Sequence, residues 1–568
     1  MKNRKLTFYS FFSKFSYLDN YGFTVGLFHR IVRKIIPKVT DKGTFEDLLS
    51  KSKCISEDCE TALEVVLNLL TDETSREQIS RELDNAIKAL SHKIISFGFD
   101  HEIKSKYDRL SIDNSSYHLL SALLARFSTN DSGLNDDLRS SLVDIEKTVF
   151  ELRKEKNQIG TSLHLTVLTK RVLEHINRAY DLVKLREDLD SKDKWSLIIK
   201  GYLSYNKSRN SLRKYLSSHL DLLALEVVEH TSNQGGKYIA DSYVEYKGFF
   251  KKGLLGGAII SLFALMKIYI DTLGMTNIPR AISYSLNYAL CFIVVKYAGG
   301  VIATKQPAMT ASTIIKYIDS NNNLELGSKQ DIIHLLRKVF RSQFISLIGN
   351  FLMALTIASG ITLFLKLDFM DFPLSAQKAE YLVNQVRPID GGAFFYASIA
   401  GVFLALSGLI SGYFDNKVTA SNLSSRLLYN PALSKILAKS KRQAVARFFH
   451  DNLGILAGNV SLGFLLGSVF LLSPIVPFVL DIRHIAFSAA NMGYALLSSS
   501  FSASAIVIAL LSVLLIGLVN FFVSFSLTFF IALKSRSITF RELSQLLKFS
   551  LRDMITHPLH YLVYKSVR

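Results

Sequence analysis

The sequence predicts an all-α protein in two unlike parts: a helical domain that faces water, then a polytopic membrane domain of about six transmembrane helices. Three observations carry this. Apolar residues recur at helical spacing through residues 60–230, strand alternation is scarce, and long apolar runs dominate from residue 253 onward. At 568 residues the chain is long enough for two or more domains. Charge divides at the same place. Residues 1–252 carry 40 Lys/Arg against 35 Asp/Glu, a mixed surface with a net of +5, whereas residues 253–568 carry 27 against 13, a net of +14.

The first part, residues 1–250, begins with Lys2, Arg4 and Lys5, but serines and Lys14 break the apolar stretch Phe8–Phe15 before it forms a signal-peptide core. No cleavable signal is therefore expected, and this domain is expected to stay in the cytoplasm. Helices are expected at about 60–71, 76–96, 115–127 and 194–230. Leu134, Leu138, Leu142, Ile145, Val149 and Leu152 mark one stripe, and Leu165, Leu168, Val172, Ile176, Ala179 and Val183 mark another. Such stripes suit a helical bundle core, or a partner surface or dimer coiled coil, with loops near Ser128–Gly133 and Gln158–Thr161. Gly235-Gly236-Lys237 is not a phosphate loop, because Thr231 and Tyr238 stand where that motif needs Gly and Ser/Thr.

The second part, 251–533, holds six runs long enough to cross a bilayer: about 253–270, 281–302, 344–365, 393–414, 453–473 and 505–531. Loop charge tests that count. Loops 303–343 and 415–452 and the tail 534–568 hold 6, 7 and 7 Lys/Arg, against 1, 3 and 1 in the alternate loops 271–280, 366–392 and 474–504. Short cytoplasmic loops collect Lys/Arg, so both termini are expected in the cytoplasm, with 534–568 a basic cytoplasmic tail. The pI near 9.5 is explained the same way, and DNA is not the favoured partner.

Within the spans, Lys267 and Lys296 either run their stems to the interface or mark an ion or substrate site. Asn287, Asn350, Asn459 and Asn520 suit interhelical hydrogen bonds. Gly401, Ala405, Gly408 and Gly412, Gly463 with Gly467, and Gly253 with Gly256 and Gly257 form smooth faces for close helix packing. Segment 474–504 opens with Pro474 and Pro477 and is too polar for a span, so an interfacial or re-entrant helix is expected. Cys54 and Cys59 lack partners for a zinc site, and Cys291 reads as a small core residue. No metal-ligand spacing, nucleophile elbow or dinucleotide fingerprint is present, so neither metal nor cofactor is expected and no catalytic residue is assigned.

Several segments carry a resemblance: Gly160-Thr161-Ser162-Leu163, His230-Thr231-Ser232, Asn287-Tyr288-Ala289, Ala303 to Ala311, Leu406 to Asn416, and Asp481-Ile482-Arg483-His484. In this order the chain resembles the bacterial membrane proteins catalogued as site-specific recombinases of the gonococcal (Gcr) type. That resemblance implies DNA strand exchange and the inner membrane of a Gram-negative-type cell. Strand exchange by a tyrosine nucleophile needs a clustered Arg/His/Lys set. His334-Leu335-Leu336-Arg337 fits a His-x-x-Arg element, yet the next tyrosine is Tyr381, beyond a span. No serine-nucleophile domain is visible either.

Two matched segments, Lys305-Gln306-Pro307 and Asp415-Asn416, fall at cytoplasmic helix ends, where they form a candidate polar cluster for a headgroup, ion or partner, or simply cap and anchor the helices. Asp481, Arg483 and His484 form an outer-side motif. The expected function is a membrane scaffold contacting the lipid bilayer and a cytoplasmic protein partner. Its alternatives are a membrane-associated recombinase and a transporter. A transporter would be helped by an internal repeat, and none is visible at the level of motifs. Reporter fusions at Asp371 and Ser440 are expected to report outside and inside respectively; the reverse pattern would contradict the orientation.

Overall fold

The computed structural model describes residues 8, 11–12, 60–126, 133–154, 163–209, 211–212, 236–306, 310–311, 313–314, 326–367, 374–388, 392–475, 480–535 and 540–564. Every regular element among them is helical. The chain divides into two compact units, Met1–Leu223 and Ala224–Arg568.

The first unit contains α1 (Glu60–Leu70), α2 (Glu73–Gly98), α3 (His101–Leu110), α4 (Ser115–Ala125), α5 (Gly133–Lys154), α6 (Leu163–Glu187) and α7 (Lys192–Arg209). Asp72 and Asp100 cap α2 and α3 by accepting from first-turn N–H groups, which stops α2 and α3 merging into a longer helix with their neighbours. The short α3 was not foreseen from periodicity. All six residues of the first predicted stripe are buried, and Leu165, Val172, Ile176, Ala179 and Val183 of the second lie in the same core. The stripes are thus used inside the chain. Phe8, Phe11 and Phe12 join that core beside Trp195, whose indole N–H donates to the Leu189 carbonyl at 2.8 Å. One buried ion pair, Arg186 to Asp84 at 2.7 Å, is completed by Arg186 donating to Asn135 at 2.6 Å.

The second unit contains α8 (Tyr243–Thr272), α9 (Asn277–Tyr297), α10 (Leu326–Leu367), α11 (Ala376–Gln385), α12 (Ala393–Ala420), α13 (Leu423–Leu428), α14 (Pro431–Ile436), α15 (Lys439–Ser468), α16 (Ile485–Leu496), α17 (Ala503–Ser535), α18 (Phe540–Thr556) and α19 (Leu559–Leu562). Six of these, α8, α9, α10, α12, α15 and α17, are long and apolar enough to cross a membrane. Contacts draw the unit boundary earlier than hydropathy does at 250. The reason is that the strand of chain before α8 already packs on α10, with the Ala240 amide donating to Ser342 Oγ at 2.8 Å.

The membrane unit is an internal repeat. Its first half is α8, α9, the connection at 298–306, and α10; its second is α12, α15, the connection ending in α16, and α17. α8 packs on α10 as α12 packs on α17, and α9 packs on α15 at the centre. The short turn at Ala303–Lys305 lies against α10, α12 and α17, while α16 lies against α17, α8 and α10 and also against α11. Apart from α11, exchanging α8 with α12 and α10 with α17 converts one set of neighbours into the other. The glycine faces follow the same rule: a Cβ on Gly257 would meet the Asn350 carbonyl at 2.5 Å, and one on Gly401 would meet the Asn520 carbonyl at 3.2 Å.

Two asparagines fix the repeat in place. Asn350 Oδ1 accepts from the Ala303 amide (3.0 Å), while its Nδ2 donates to the carbonyls of Val301 (2.8 Å) and Gly253 (2.7 Å). Asn520 Oδ1 accepts from the Ile485 amide (3.2 Å), while its Nδ2 donates to the carbonyls of Arg483 (2.9 Å) and Ala397 (2.8 Å). Each side chain thus ties residues i and i+2 of a non-helical connection to the first helix of its own half. Leucine at either position would orphan one buried amide and one buried carbonyl of the connection (Val301 or Arg483), at about 1–3 kcal/mol per group, while the Gly253 or Ala397 carbonyl keeps its bond within its helix. Asn350→Leu and Asn520→Leu should each lower the melting temperature of the purified protein by about 4 °C or more. An unchanged melting temperature in either variant would contradict the paired role.

Candidate functional site

The two connections meet inside the bundle. Thr304 Oγ1 and His484 Nε2 are 2.8 Å apart, and both residues are buried. Three crossings per half place the connection after α9 and the connection after α15 on opposite faces, so each turns inward to reach the other. Packing directions agree. Leu347 of α10 touches Gly517 of α17 while Phe340 meets Phe521 and Phe525 edge-on, so those helices run antiparallel. From Ile485 beside Gly517 to Gly493 beside Leu355 and Ala358, α16 climbs alongside α10. Ala311 and Ile314 share one apolar cluster with Ile332, Leu336 and Val339 of α10 and with Phe525, Phe529 and Ala532 of α17. Ten of the twelve residues of α16 are buried, which makes it an inward-turning helix and not an interfacial one.

Beside this meeting point lies a cavity of about 60 Å³, lined by Tyr238, Phe292, Val295, Lys296, Gly300, Val301, Ile302, Lys305, Gln306, Ile455 and Asn459. The Lys305 ammonium donates to Asn459 Oδ1, and Asn459 Nδ2 donates in turn to the Phe292 carbonyl at 3.3 Å. A Cβ on Gly458 would lie 2.9 Å from both the Ser407 carbonyl oxygen and Ser411 Cβ, so glycine at that turn of α15 lets α12 approach closely, beside Lys305 Nζ. Gln306 is buried, and neither atom of its amide has a partner among the described residues.

Of the predicted polar cluster, Lys305 and Gln306 line the cavity, and Pro307 lies outside the described residues. Asp415 and Asn416 sit at the end of α12, with the Asp415 carboxylate against Gly454 and Asn416 buried. Both segments therefore pack on α15 about one turn apart, at Gly454 and Gly458, and no ion pair joins Lys305 to Asp415. In the second motif, Arg483 donates to Asp481 at 2.6 Å, to the Ile482 carbonyl at 2.8 Å and to the Gln385 carbonyl at 3.2 Å. Arg483 and His484 are buried, His484 reaching the first connection through Thr304. Lys267 lies over the Tyr284 and Tyr288 rings, 5.1 and 5.5 Å from their centroids, with Asp271 and Asp481 as charged neighbours. Among the described residues no group of His, Cys, Asp and Glu could hold a metal ion.

Sequence reasoning singled out Asn459 only as a polar residue in a span, and did not connect Tyr238 or Lys296 with Lys305. Its one usable signal was the isolated asparagine in an otherwise apolar helix. His334-x-x-Arg337 proves to be a structural node: Arg337 donates to both oxygens of Asp553, at 2.9 and 2.5 Å, and Tyr561 donates to the same carboxylate at 2.6 Å. Tyr561 is buried, and burial and the Asp553 carboxylate push its hydroxyl well above the usual tyrosine range.

A family model described as site-specific recombinase matches residues 3–563. The chain belongs to that family. No curated protein and no solved structure matches it. The match spans nearly the whole chain, so the paired connections and their asparagines lie within the family's common region and not in an appended domain. Of the two His-x-x-Arg elements among the described residues of this family member, His175-x-x-Arg178 is buried in the first unit, with Arg178 donating to the Phe11 and Phe12 carbonyls, and His334-x-x-Arg337 is committed to Asp553. Arg337→Ala should therefore loosen α18 and α19 from α10, read as faster proteolysis near 540–564. The purified full chain should bind duplex DNA only weakly, without a steep fall of log affinity against log salt; tight binding with such a slope would contradict this.

Proposed function

We propose that the membrane unit carries a small solute across the bilayer, and that this family member works as a transporter built from two inverted halves. One observation supports it most: two inward-turning connections, held by equivalent asparagines, meet at Thr304 and His484. Inverted repeats with broken segments meeting near the bilayer midplane are the recurrent architecture of secondary transporters, because non-helical backbone in a membrane is tolerated where it is buried in protein or lines a cavity. The Thr304–His484 contact would close the path, and separating the halves around the α9–α15 pair would open it. Gly463 and Gly467 let α15 approach the Ala289 and Ser285 backbone closely, a smooth contact on which the halves could rock. The Lys/Arg balance of the loops favours cytoplasmic termini, and with them a cytoplasmic opening for the cavity at Lys305. The bacterial inner membrane is the location this orientation implies.

A second proposal, scaffolding of a protein partner, draws on apolar side chains of the first unit that remain half-exposed, Phe150 and Leu197. It predicts that Phe150→Glu abolishes a defined cross-linked complex in the native membrane without altering solute flux.

Transport is tested with the full chain in proteoliposomes. A gradient of substrate should drive uptake that saturates with concentration and falls at least tenfold when Thr304 and His484 are joined through Thr304→Cys and His484→Cys. Flux equal to that of protein-free vesicles, across a panel of organic acids, inorganic anions and amino acids, would contradict the proposal.

A further inference from the structure

We infer that the cavity at Lys305 binds a small oxyanion that carries a hydrogen-bond donor of its own. Hydroxy acids, amino acids, bicarbonate and hydrogen phosphate are such species. The inference rests on the transport proposal above and names its substrate class.

Charge is the first ground. Lys305 is buried, its hydrogen-bond partner among the described residues is the neutral Asn459 amide, and its charged neighbour is a like charge, Lys296. Among the described residues no carboxylate lies within ion-pair distance of it. Taking an ammonium out of water costs several kcal/mol unless an opposite charge accompanies it, and the described residues supply none. Lys296 is exposed at the rim of the same cavity, so two cations face the space at different depths. That arrangement draws an anion in and holds it at the buried end.

Gln306 supplies the second ground and narrows the class. Both its amide nitrogen and its amide oxygen are buried on the cavity wall without partners. Buried polar groups are nearly always hydrogen-bonded, and an orphan costs about 1–3 kcal/mol. An anionic oxygen can accept from Lys305 Nζ and Gln306 Nε2 together. Gln306 Oε1 then still needs a donor, which a halide, a simple carboxylate or a phosphodiester lacks. The Asn459 amide does not serve, since no hydrogen bond joins it to Gln306 and its Nδ2 donates to the Phe292 carbonyl instead. Phe292, Val295 and Ile302 complete the wall with apolar surface, which suits a short organic body and excludes a large hydrated ion.

The repeat shows what stands in the second half at the position of this lysine. The second-half counterpart of Lys305, counted from the equivalent residues Ala303 and Ile485, is Phe487, which packs on Tyr288 at 4.6 Å between ring centroids. One connection brings a cation to its face of the α9–α15 pair; the other brings an aromatic plug.

Calorimetric titration of the purified full chain with hydrogen phosphate, bicarbonate and lactate, beside chloride and propionate, tests this. At least one donor-bearing oxyanion should bind at least tenfold more tightly than chloride and propionate. Lys305→Gln should weaken that binding at least tenfold. Gln306→Leu should erase the preference for lactate over propionate, and it decides the matter if Lys305→Gln fails to elute as a folded species. Absence of binding to any of the three, or unchanged binding and preference in these variants, would overturn the inference. Proteoliposome flux separates it from the transport proposal. Binding that depends on Lys305 with no flux of the bound anion removes the transporter and leaves the site. Flux that is indifferent to both substitutions removes the site and leaves the transporter.

Discussion

Backbone polarity inside an apolar bundle is the constraint on which the membrane unit depends. A chain segment that turns back within the bundle exposes amides and carbonyls that no helix hydrogen bond satisfies, and hydrocarbon offers no water to replace them. Asn350 and Asn520 answer this in the same way, each taking one amide and two carbonyls into a single side chain. An asparagine amide suits the task because it accepts and donates at fixed geometry and carries no charge to desolvate. With these nodes in place, Val301–Ala303 and Arg483–Ile485 can stop in the interior and present Thr304 and His484 to one another. The cavity at Lys305 follows from the same placement, since that lysine directly follows the Asn350-bound turn.

Much of this architecture was legible from the sequence, and the illegible part has a physical explanation. Long apolar runs and alternating loop charge report solvent preference, which composition records directly, so the six long helices fall where hydropathy puts them. The stripes of the first unit were equally plain, because Leu134 to Leu152 keep helical spacing against one core. The repeat was hidden because its halves share geometry and few residues. Gly257 matches Gly401 and Asn350 matches Asn520, but the connections differ in composition, and the loop between α12 and α15 adds two short helices. Asparagine in a span signals some interhelical bond; it does not say that the partner is a broken segment. Arg483 shows what a charged motif leaves unsaid: its side chain is buried, because Asp481 and two carbonyls take up its guanidinium.

Lys305 and Gln306 were singled out as a motif, while the wall that makes them a site was not. Asn459 and Tyr238 are far away in sequence, and only the packing of α15 against α9 brings that asparagine to the lysine. Asp415, chosen as a neighbour of Lys305, lies a turn away and leaves the ammonium without a counter-charge. That missing pairing is what turns a polar helix end into a place for an anion. The family description names a chemistry on DNA, whereas the geometry of this member concentrates its buried polar groups between transmembrane helices. The His-x-x-Arg element that best fitted strand exchange ties α10 to the carboxyl-terminal helices through Asp553.

The central claim is that two connections from opposite membrane faces touch at the centre of the bundle. Cross-linking Thr304→Cys to His484→Cys with a short bifunctional thiol reagent in intact membranes, with the three native cysteines replaced, tests it most directly. The account predicts a link within one chain, formed before solubilisation and lost when Asn350 or Asn520 is replaced by leucine. No link in membranes, with both cysteines readily labelled from the water phase on their own sides, would contradict it.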